Sequence, residues 1–164
     1  MNRIAKFEKV SRNQYIKSLE TSDKWWANQT YDDIKLPCRA TKGSAGYDFY
    51  APYNFTLAPG GTIKISTGIR TKINDGWVLM IFPRSGLGFK YRLRLDNTVG
   101  IIDADYYNSD NEGHIMIKIT NCGDKVLTVE EGQGFAQGIF LPFGITEDDN
   151  TTDIRNGGFG STDK

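Results

Sequence analysis

Short runs of alternating hydrophobic and polar residues, separated by glycine-containing turns, cover most of the chain. In one of them Ile115, Ile117 and Ile119 fall on one face of a predicted strand, and Met116, Lys118 and Thr120 fall on the other. The sequence 74–76 (NDG) predicts a tight turn between two neighbouring runs. The runs that we interpret as strands lie at 62–73 (with a glycine interruption), 77–82, 113–121, 125–129 and 135–143. Strands that recur about every ten residues with few helical patterns predict an all-β sandwich or barrel.

The two ends of the chain depart from this pattern. Ser11 is a suitable N-cap for a helix that continues to about Glu20, and three aromatic residues follow within 25–31. We interpret residues 1–35 as an N-terminal strand with a short helical insertion that packs on the barrel or on a neighbouring subunit, with a partner-binding element as the alternative. Residues 147–164 are polar and contain several glycines, which predicts a mobile C-terminal arm.

Composition restricts the classes of function. The 164 residues contain 20 basic and 20 acidic residues, so a general polyanion-binding protein is not expected, and neither nucleic acid nor a membrane is an expected partner. A single histidine excludes a multi-histidine metal centre within one chain. Cys38 and Cys122 are far apart and form no CxxC pattern, so we expect both to be buried and reduced. The charged and polar first thirty residues contain no apolar signal segment, and a single cytoplasmic domain over 1–164 is expected.

Two glycine-containing segments in the first half of the chain have candidate chemistry. In residues 43–51, Asp48 follows small residues in an otherwise apolar strand, where it is either a functional carboxylate or a turn residue with satisfied hydrogen bonds. In residues 82–88, Arg84 and Ser85 begin a predicted glycine-containing turn. Such a turn can offer a guanidinium, a hydroxyl and free backbone N–H groups to phosphate oxygens, although turns of this kind are common.

The segment 97–106 predicts a hairpin around Gly100, from which Asp103 projects in an apolar setting. Burial of this kind raises the pKa of a carboxylate and suits a general base. The alternative is that Asp103 and Asp105 only open a loop. A calcium loop that also uses Asp110 is disfavoured, because the spacing after Asp105 departs from the D-x-D-x-D-G pattern.

Two further segments lie near the C-terminus. Residues 131–137 predict a turn that leads into a strand. Residues 155–162 combine one arginine, one phenylalanine and two hydroxyl side chains with glycines, a composition suited to a mobile clamp that stacks on a flat ring and reaches phosphates. A solvated tail is the alternative, but an exposed phenylalanine between glycines is harder to explain in that way.

In their order and spacing these five segments resemble the five motifs of the homotrimeric dUTP pyrophosphatases (dUTPases), from Leu36 to Thr162. The resemblance implies a distorted jelly-roll-like β-barrel and hydrolysis of dUTP to dUMP and pyrophosphate. It also implies three sites at the subunit interfaces of a homotrimer, with a C-terminal arm that closes over the site of a neighbouring subunit. Magnesium (Mg²⁺) is the implied cofactor, held mainly by the substrate phosphates and with no direct protein ligand.

The resemblance also assigns roles to residues. Asp103 would deprotonate the water that attacks the α-phosphorus, and Tyr106 would lie beneath the deoxyribose and exclude a 2′-hydroxyl. Asn97 and the hairpin backbone would bind the uracil edge. Asp48 would support the site. The remaining implied substrate-binding residues are Arg84, Ser85, Gly86 and Gln137 for the phosphates, Gly100 and Ile102 in the hairpin, Phe159 over the uracil, and Arg155, Gly160, Ser161 and Thr162 in the arm, mainly at the γ-phosphate.

The chain departs from the family pattern at four places. Gly134 stands where the fourth motif usually has an arginine, and the spacing from Arg155 to the arm phenylalanine is one residue shorter than usual. Residues 107–112 lengthen a loop that normally turns at once, and residues 11–33 are absent from shorter members. Either of these last two segments is a candidate surface for a protein partner, as in regulatory phage-encoded dUTPases that resemble this chain.

A dCTP deaminase is the nearest enzymatic alternative, because it is similar in fold and in the arginine–serine turn. Deamination would require a general acid/base glutamate on the strand after the third motif. The chain has residues 113–117 (GHIMI) there, which include no glutamate, so this alternative is disfavoured.

Overall fold

The computed structural model describes residues 2–155 and 157. Strands dominate the described residues, and their bounds are β1 Ala5–Lys9, β2 Tyr47–Tyr50, β3 Phe55–Leu57, β4 Thr62–Ser66, β5 Ile69–Ile73, β6 Trp77–Pro83, β7 Leu93–Leu95, β8 Gly100–Ile102, β9 Met116–Asn121, β10 Leu127–Val129 and β11 Gly134–Pro142. The helices are α1 Arg12–Ser18, α2 Lys24–Asp33 and α3 Ser85–Tyr91, with a 3₁₀ helix at Ala104–Asn108. Within the described residues, no helix is both long and apolar enough to cross a membrane.

All strand pairings in the described part of the chain are antiparallel. A four-stranded sheet has the order β2-β11-β6-β8, a three-stranded sheet has the order β4-β9-β7, and β1–β5 and β3–β10 form two separate pairs. The predicted all-β class and jelly-roll-like fold are confirmed. The strands do not join into one closed barrel among the described residues.

Period-two alternation places the core as predicted. Ile115, Ile117 and Ile119 are at most 2% exposed, whereas Lys118 between them faces solvent. The predicted run 62–73 is divided into β4 and β5 at Gly68. This glycine has φ +72°, and an added Cβ would overlap with the side chain of Ile34, so both the backbone angle and the space require glycine.

The N-terminal insertion contains two helices. The Ser11 side chain caps α1 as predicted, by accepting a hydrogen bond from the Gln14 N–H, but the helix ends at Ser18 instead of about Glu20. The aromatic segment forms the second helix, α2, which the sequence analysis did not predict. Trp25 on that helix is 73% exposed, so it is not part of a buried plug.

Three other expectations were wrong. Both cysteines are free, as expected, but both are exposed instead of buried. The strand expected over 113–121 begins at Met116, and the strand expected over 125–129 begins at Leu127.

Candidate active site

The first, second and fourth sequence segments meet where β2, β11 and β6 pair in the four-stranded sheet. In its register Gln137 on β11 lies opposite Asp48 on β2, and on its other side β11 places Ala136 opposite Pro83 at the end of β6. Arg84 follows directly. The antiparallel neighbours therefore bring the first, second and fourth segments together although they are up to about ninety residues apart in sequence.

The side chains of this group contact one another. Arg84 Nε lies 3.3 Å from Asp48 Oδ1, and the Asp48 side chain is only 17% exposed. Gln137 Nε2 donates a hydrogen bond to the Pro83 carbonyl at 3.2 Å. Asp48 thus holds the Arg84 guanidinium in place, and Gln137 braces the backbone from which Arg84 extends.

The segment after Arg84 is a helix, which corrects the predicted glycine-containing turn. Arg84 occupies the N-cap position of α3, and its carbonyl accepts the Gly88 N–H at 2.9 Å. The N–H groups of Ser85 and Gly86 precede that bond and have no intrahelical acceptor. An added Cβ at Gly86 would meet nothing within 4 Å, so a ligand can approach this backbone closely.

Arg84 lies against Gly134, the residue that stands where the fourth motif usually has an arginine. An added Cβ at Gly134 would lie 2.6 Å from Arg84 Nη1, and Nη1 itself points to the Gly134 carbonyl at 3.4 Å. A guanidinium from the second segment therefore occupies the space next to residue 134. A side chain at residue 134 would therefore make the end of the Arg84 side chain shift.

The third segment does not form the predicted hairpin. β7 pairs with β9 in the three-stranded sheet, whereas β8 pairs with β6 in the four-stranded sheet. The tight connection between β7 and β8 has Thr98 at φ 67°, with the Thr98 N–H donating to the Leu95 carbonyl at 3.0 Å. The segment consequently spans the gap between two sheets.

A cavity of about 290 Å³ lies in that gap. Asn97, Gly100 and Ile102 line it together with apolar residues such as Ile81 and Met116. A largely apolar space with a few polar groups is typical of a site for a small flat ring. The structure thus brings together the three residues that the resemblance assigned to the base.

Asp103 comes directly after β8 and precedes the 3₁₀ helix. Its side chain is 46% exposed and pairs with Arg155, whose Nη2 lies 2.6 Å from Asp103 Oδ2. Asp105 Oδ1 accepts from Arg155 Nε at 3.0 Å. The expectation of an apolar, buried setting for Asp103 was therefore wrong in the single chain, because its carboxylate is half exposed and paired with Arg155.

The segment that carries Arg155 lies over the third segment of the same chain. The Arg155 side chain is 19% exposed, and its Cζ lies 5.9 Å from the ring centroid of Tyr106. Ser109 Oγ donates to the Gly157 carbonyl at 3.2 Å. The other arm residues assigned to substrate binding, Phe159, Gly160, Ser161 and Thr162, lie outside the described residues.

Tyr106 is 6% exposed, and its hydroxyl both donates and accepts a hydrogen bond. The hydroxyl donates to the His114 carbonyl and accepts from Asn111 Nδ2, each at 2.8 Å. Burial raises the pKa of Tyr106, although the bond from Asn111 and the charge of Arg155 oppose the rise. The phenol is therefore held neutral and in one position.

Sequence reasoning gave no role to Asn111 or His114. His114 is fully buried, its Nε2 accepts the Gly68 N–H at 2.8 Å, and burial lowers its pKa to about 4. The hydrogen bond from Gly68 holds the neutral ring of His114, and the carbonyl of the same residue accepts the Tyr106 hydroxyl. No pattern in the sequence identifies Asn111, because asparagine is common in loops and only the folded loop brings it to the tyrosine.

Comparison with known proteins shows which family the chain is similar to. A family model described as dUTPase matches residues 32–163. The deoxyuridine 5′-triphosphate nucleotidohydrolase of Lactococcus lactis subsp. lactis is 42% identical over 132 residues, which cover 79% of this chain and 88% of that protein. The enzyme of the same name from Escherichia coli is also 42% identical, over 136 residues that cover 78% of this chain and 87% of that protein.

Solved structures show the same similarity. The crystal structure of a dUTPase from Streptococcus mutans aligns with a TM-score of 0.65 and 32% identity, and the alignment covers 86% of this chain and 98% of that one. A dUTPase of Staphylococcus bacteriophage 80alpha aligns with a TM-score of 0.66 over 94% of this chain and 100% of that one, but with 19% identity. This last likeness concerns the fold alone.

Proposed function

The chain belongs to the dUTPase family and is a deoxyuridine 5′-triphosphate nucleotidohydrolase, and from this premise we propose how its residues carry out the reaction. The predicted family and enzyme class are confirmed. The products that we propose are dUMP and pyrophosphate, released after attack of water on the α-phosphorus.

Asp103 is the proposed general base. It takes a proton from the attacking water as the new P–O bond forms, while the bond from the α-phosphorus to the bridging oxygen breaks and the electron pair leaves with pyrophosphate. Arg155 now pairs with Asp103 at 2.6 Å, so its guanidinium must leave the carboxylate first. A triphosphate offers several anionic oxygens to compete for this arginine, which supports a transfer of Arg155 from Asp103 to the substrate.

The cavity beside Asn97, Gly100 and Ile102 is the proposed uracil site. Backbone donors and acceptors there are fixed, so cytosine would leave buried polar groups without partners. Tyr106 is proposed to lie beneath the deoxyribose. Arg155, which pairs with Asp103, lies 5.9 Å from the centroid of its ring, and two hydrogen bonds of its hydroxyl hold the ring. A ring that cannot move away leaves no room for an added 2′-hydroxyl.

Phosphate binding is assigned to Arg84, Ser85 and Gly86, with Gln137 assisting and Asp48 in support. The guanidinium, the hydroxyl and the free N–H groups at the start of α3 are concentrated at one end of the four-stranded sheet. The arm residues Phe159, Gly160, Ser161 and Thr162 complete the proposal, with the phenylalanine stacked on uracil.

Magnesium fits this donor set as an ion held by the substrate. Among the described residues, no group of three His, Cys, Asp or Glu side chains could hold a metal ion. Asp48 is already paired with Arg84, and Asp103 with Arg155. Bound Mg²⁺ would neutralise phosphate charge, with phosphate oxygens and waters as its ligands.

A homotrimer with interface active sites is proposed as the working assembly. Large apolar residues are exposed beside the site segments: Phe89 on α3 is 92% exposed, Ile101 on β8 is 52% exposed, and Ile154 before Arg155 is 83% exposed. Exposed apolar residues of this size favour burial against another chain. Light scattering should give three times the mass of the chain, and a monomer would contradict the proposal.

The two free cysteines support a cytoplasmic location.

The observation that carries the mechanism is Asp103 at the end of β8, next to the cavity and in contact with Arg155. The test measures pyrophosphate release from dUTP, dCTP, dTTP and UTP with magnesium. We expect turnover of dUTP alone. Ammonia release from dCTP would instead support the deaminase alternative, and tight dUTP binding without turnover would overturn the proposed chemistry.

A protein partner that binds through residues 11–33 or 107–112 stays a prediction. The exposed Trp25 is the feature of the first segment that a partner could contact. Pull-down with a chosen candidate partner, with and without each segment deleted, tests it. Unchanged binding after both deletions would count against this role.

A further inference from the structure

The inserted loop, residues 107–112, is fastened to the protein body at both ends. At its start the Tyr107 hydroxyl donates to Glu8 Oε2 at 2.6 Å. The Arg70 guanidinium lies 3.6 Å from the Tyr107 ring centroid and donates to the Tyr107 carbonyl at 2.7 Å. The first residue of the loop is therefore held by contacts with β1 and β5.

The end of the loop is fastened to the other insertion. Glu112 accepts from both the backbone N–H and the hydroxyl of Ser11, each at 2.6 Å. Glu112 has φ 60°, a strained angle for a residue with a side chain, and these two hydrogen bonds offset the strain. Gly113 follows with φ 70°, and an added Cβ there would lie 2.7 Å from the Tyr106 carbonyl oxygen. These contacts restrict the backbone at residues 112 and 113.

Asn111 lies between the two anchors and contacts Tyr106. Its Oδ1 accepts the Gly113 N–H at 3.2 Å, a bond within the loop. Its Nδ2 donates to the Tyr106 hydroxyl at 2.8 Å, and that hydroxyl in turn donates to the His114 carbonyl. The Asn111 amide oxygen thus bonds within the loop, whereas the amide nitrogen bonds to Tyr106, and a substitution can remove the second bond alone.

We propose that Asn111 is a positioning residue for Tyr106, through which the inserted loop sets discrimination between deoxyribose and ribose. The inference rests on the proposed function, in which the Tyr106 ring lies beneath the sugar. Two hydrogen bonds fix the far end of the ring, and loss of either one lets the ring tilt and makes room for a 2′-hydroxyl. Asn111 itself touches no reacting atom.

The test is the ratio of kcat/KM for dUTP to kcat/KM for UTP. Asn111→Asp keeps the acceptor for Gly113 N–H but removes the donor to Tyr106. It is expected to lower the ratio by about threefold to tenfold, the effect of one hydrogen bond, with kcat for dUTP nearly unchanged. The matched control is Asn108→Asp, an exposed asparagine of the same loop, which should leave the ratio unchanged.

A second variant tests the inference without relying on correct folding of Asn111→Asp. Tyr106→Phe keeps the ring and loses the hydroxyl, so it should lower the ratio as well. When Asn111→Asp is added to Tyr106→Phe, no further change is expected, because the asparagine acts through the hydroxyl. An unchanged ratio in Tyr106→Phe, or an equal effect of Asn111→Asp in both backgrounds, would overturn the inference.

Different results would contradict the proposed function and the role of Asn111. A wild-type protein that releases pyrophosphate from dUTP and UTP equally, or from neither, contradicts the proposed function and with it the role of Asn111. A wild-type protein that is selective for dUTP, together with an Asn111→Asp variant of the same selectivity, contradicts the role of Asn111 alone.

Discussion

Arg155 and Asp103 form an ion pair of 2.6 Å between the start of the arm and the end of β8, fifty-two residues apart in sequence. The same guanidinium also contacts Asp105 at 3.0 Å. One arginine therefore pairs with both carboxylates of the third segment. Its release by phosphate oxygens would couple substrate binding to the exposure of the general base.

Asp103→Asn removes the proposed base and keeps the shape of the side chain. Turnover of dUTP should fall at least about 10²-fold, while nucleotide affinity changes less than about tenfold. Pyrophosphate release and calorimetric titration with a non-hydrolysable dUTP analogue measure the two quantities.

The matched control for that substitution is Asp105→Asn, because Asp105 is equally charged, more exposed and bonded to the same arginine. It should retain turnover within about tenfold of the wild type. If Asp103→Asn reduced affinity and turnover equally, Asp103 would be a structural residue.

Arg155→Ala separates the catalytic role of the arm from a structural one. Both ion pairs of Arg155 involve carboxylates that are about half exposed, and pairs of this kind stabilise proteins weakly. The melting temperature should fall by no more than about 4 °C, whereas KM for dUTP should rise more than about tenfold.

Removal of residues 155–164 should have at least the same effect on KM. Arg94→Ala, at an exposed arginine of β7, is the control and should change neither quantity. A large loss of thermal stability without a change in KM would contradict the assignment of Arg155 to the substrate.

Gly134→Ala tests whether Arg84 needs the space next to residue 134 to hold its position. A Cβ at residue 134 would lie 2.6 Å from Arg84 Nη1, so the guanidinium must move away from Asp48. KM for dUTP should rise about threefold to tenfold with kcat nearly unchanged, the signature of lost substrate binding. Gly144→Ala is the control, since a Cβ there meets nothing within 4 Å. Equal kinetics for both variants would show that Arg84 does not need this space.

His114 makes stability depend on pH. Burial lowers its pKa from 6.5 to about 4, only partly opposed by the charge of Glu112. As the pH falls below 6.5, the unfolded chain takes up a proton that the folded chain refuses. The stability present above pH 6.5 is therefore lost progressively toward pH 4, by up to about 3 kcal/mol.

Urea unfolding between about pH 5 and pH 7.5 measures this dependence. His114→Gln retains an acceptor for the Gly68 N–H and removes the titrating group, so its free energy of unfolding should vary less with pH. Glu112 titrates below this range, because the hydrogen bonds from Ser11 outweigh burial and lower its pKa. The same slope in wild type and His114→Gln would exclude the histidine as its source.

The sequence by itself determined the all-β class, the main strands, the Ser11 N-cap and the family. These features are local: period-two alternation, a capping residue and short motifs with fixed spacing can all be recognised in the order of residues. The five segments alone identify Asp103, Arg84 and Tyr106 as candidate site residues.

Only the tertiary structure decided how these residues are arranged. β7 pairs with β9 and β8 pairs with β6, and no local pattern in the sequence encodes this choice of partners. Only the folded chain shows that the Arg84 guanidinium lies next to Gly134. Asn111 acquires a role only because Tyr107 and Glu112 hold its loop against Tyr106, through contacts with Glu8 and Ser11 about a hundred residues away. Long-range packing, which the sequence pattern does not reveal, sets the geometry of the site.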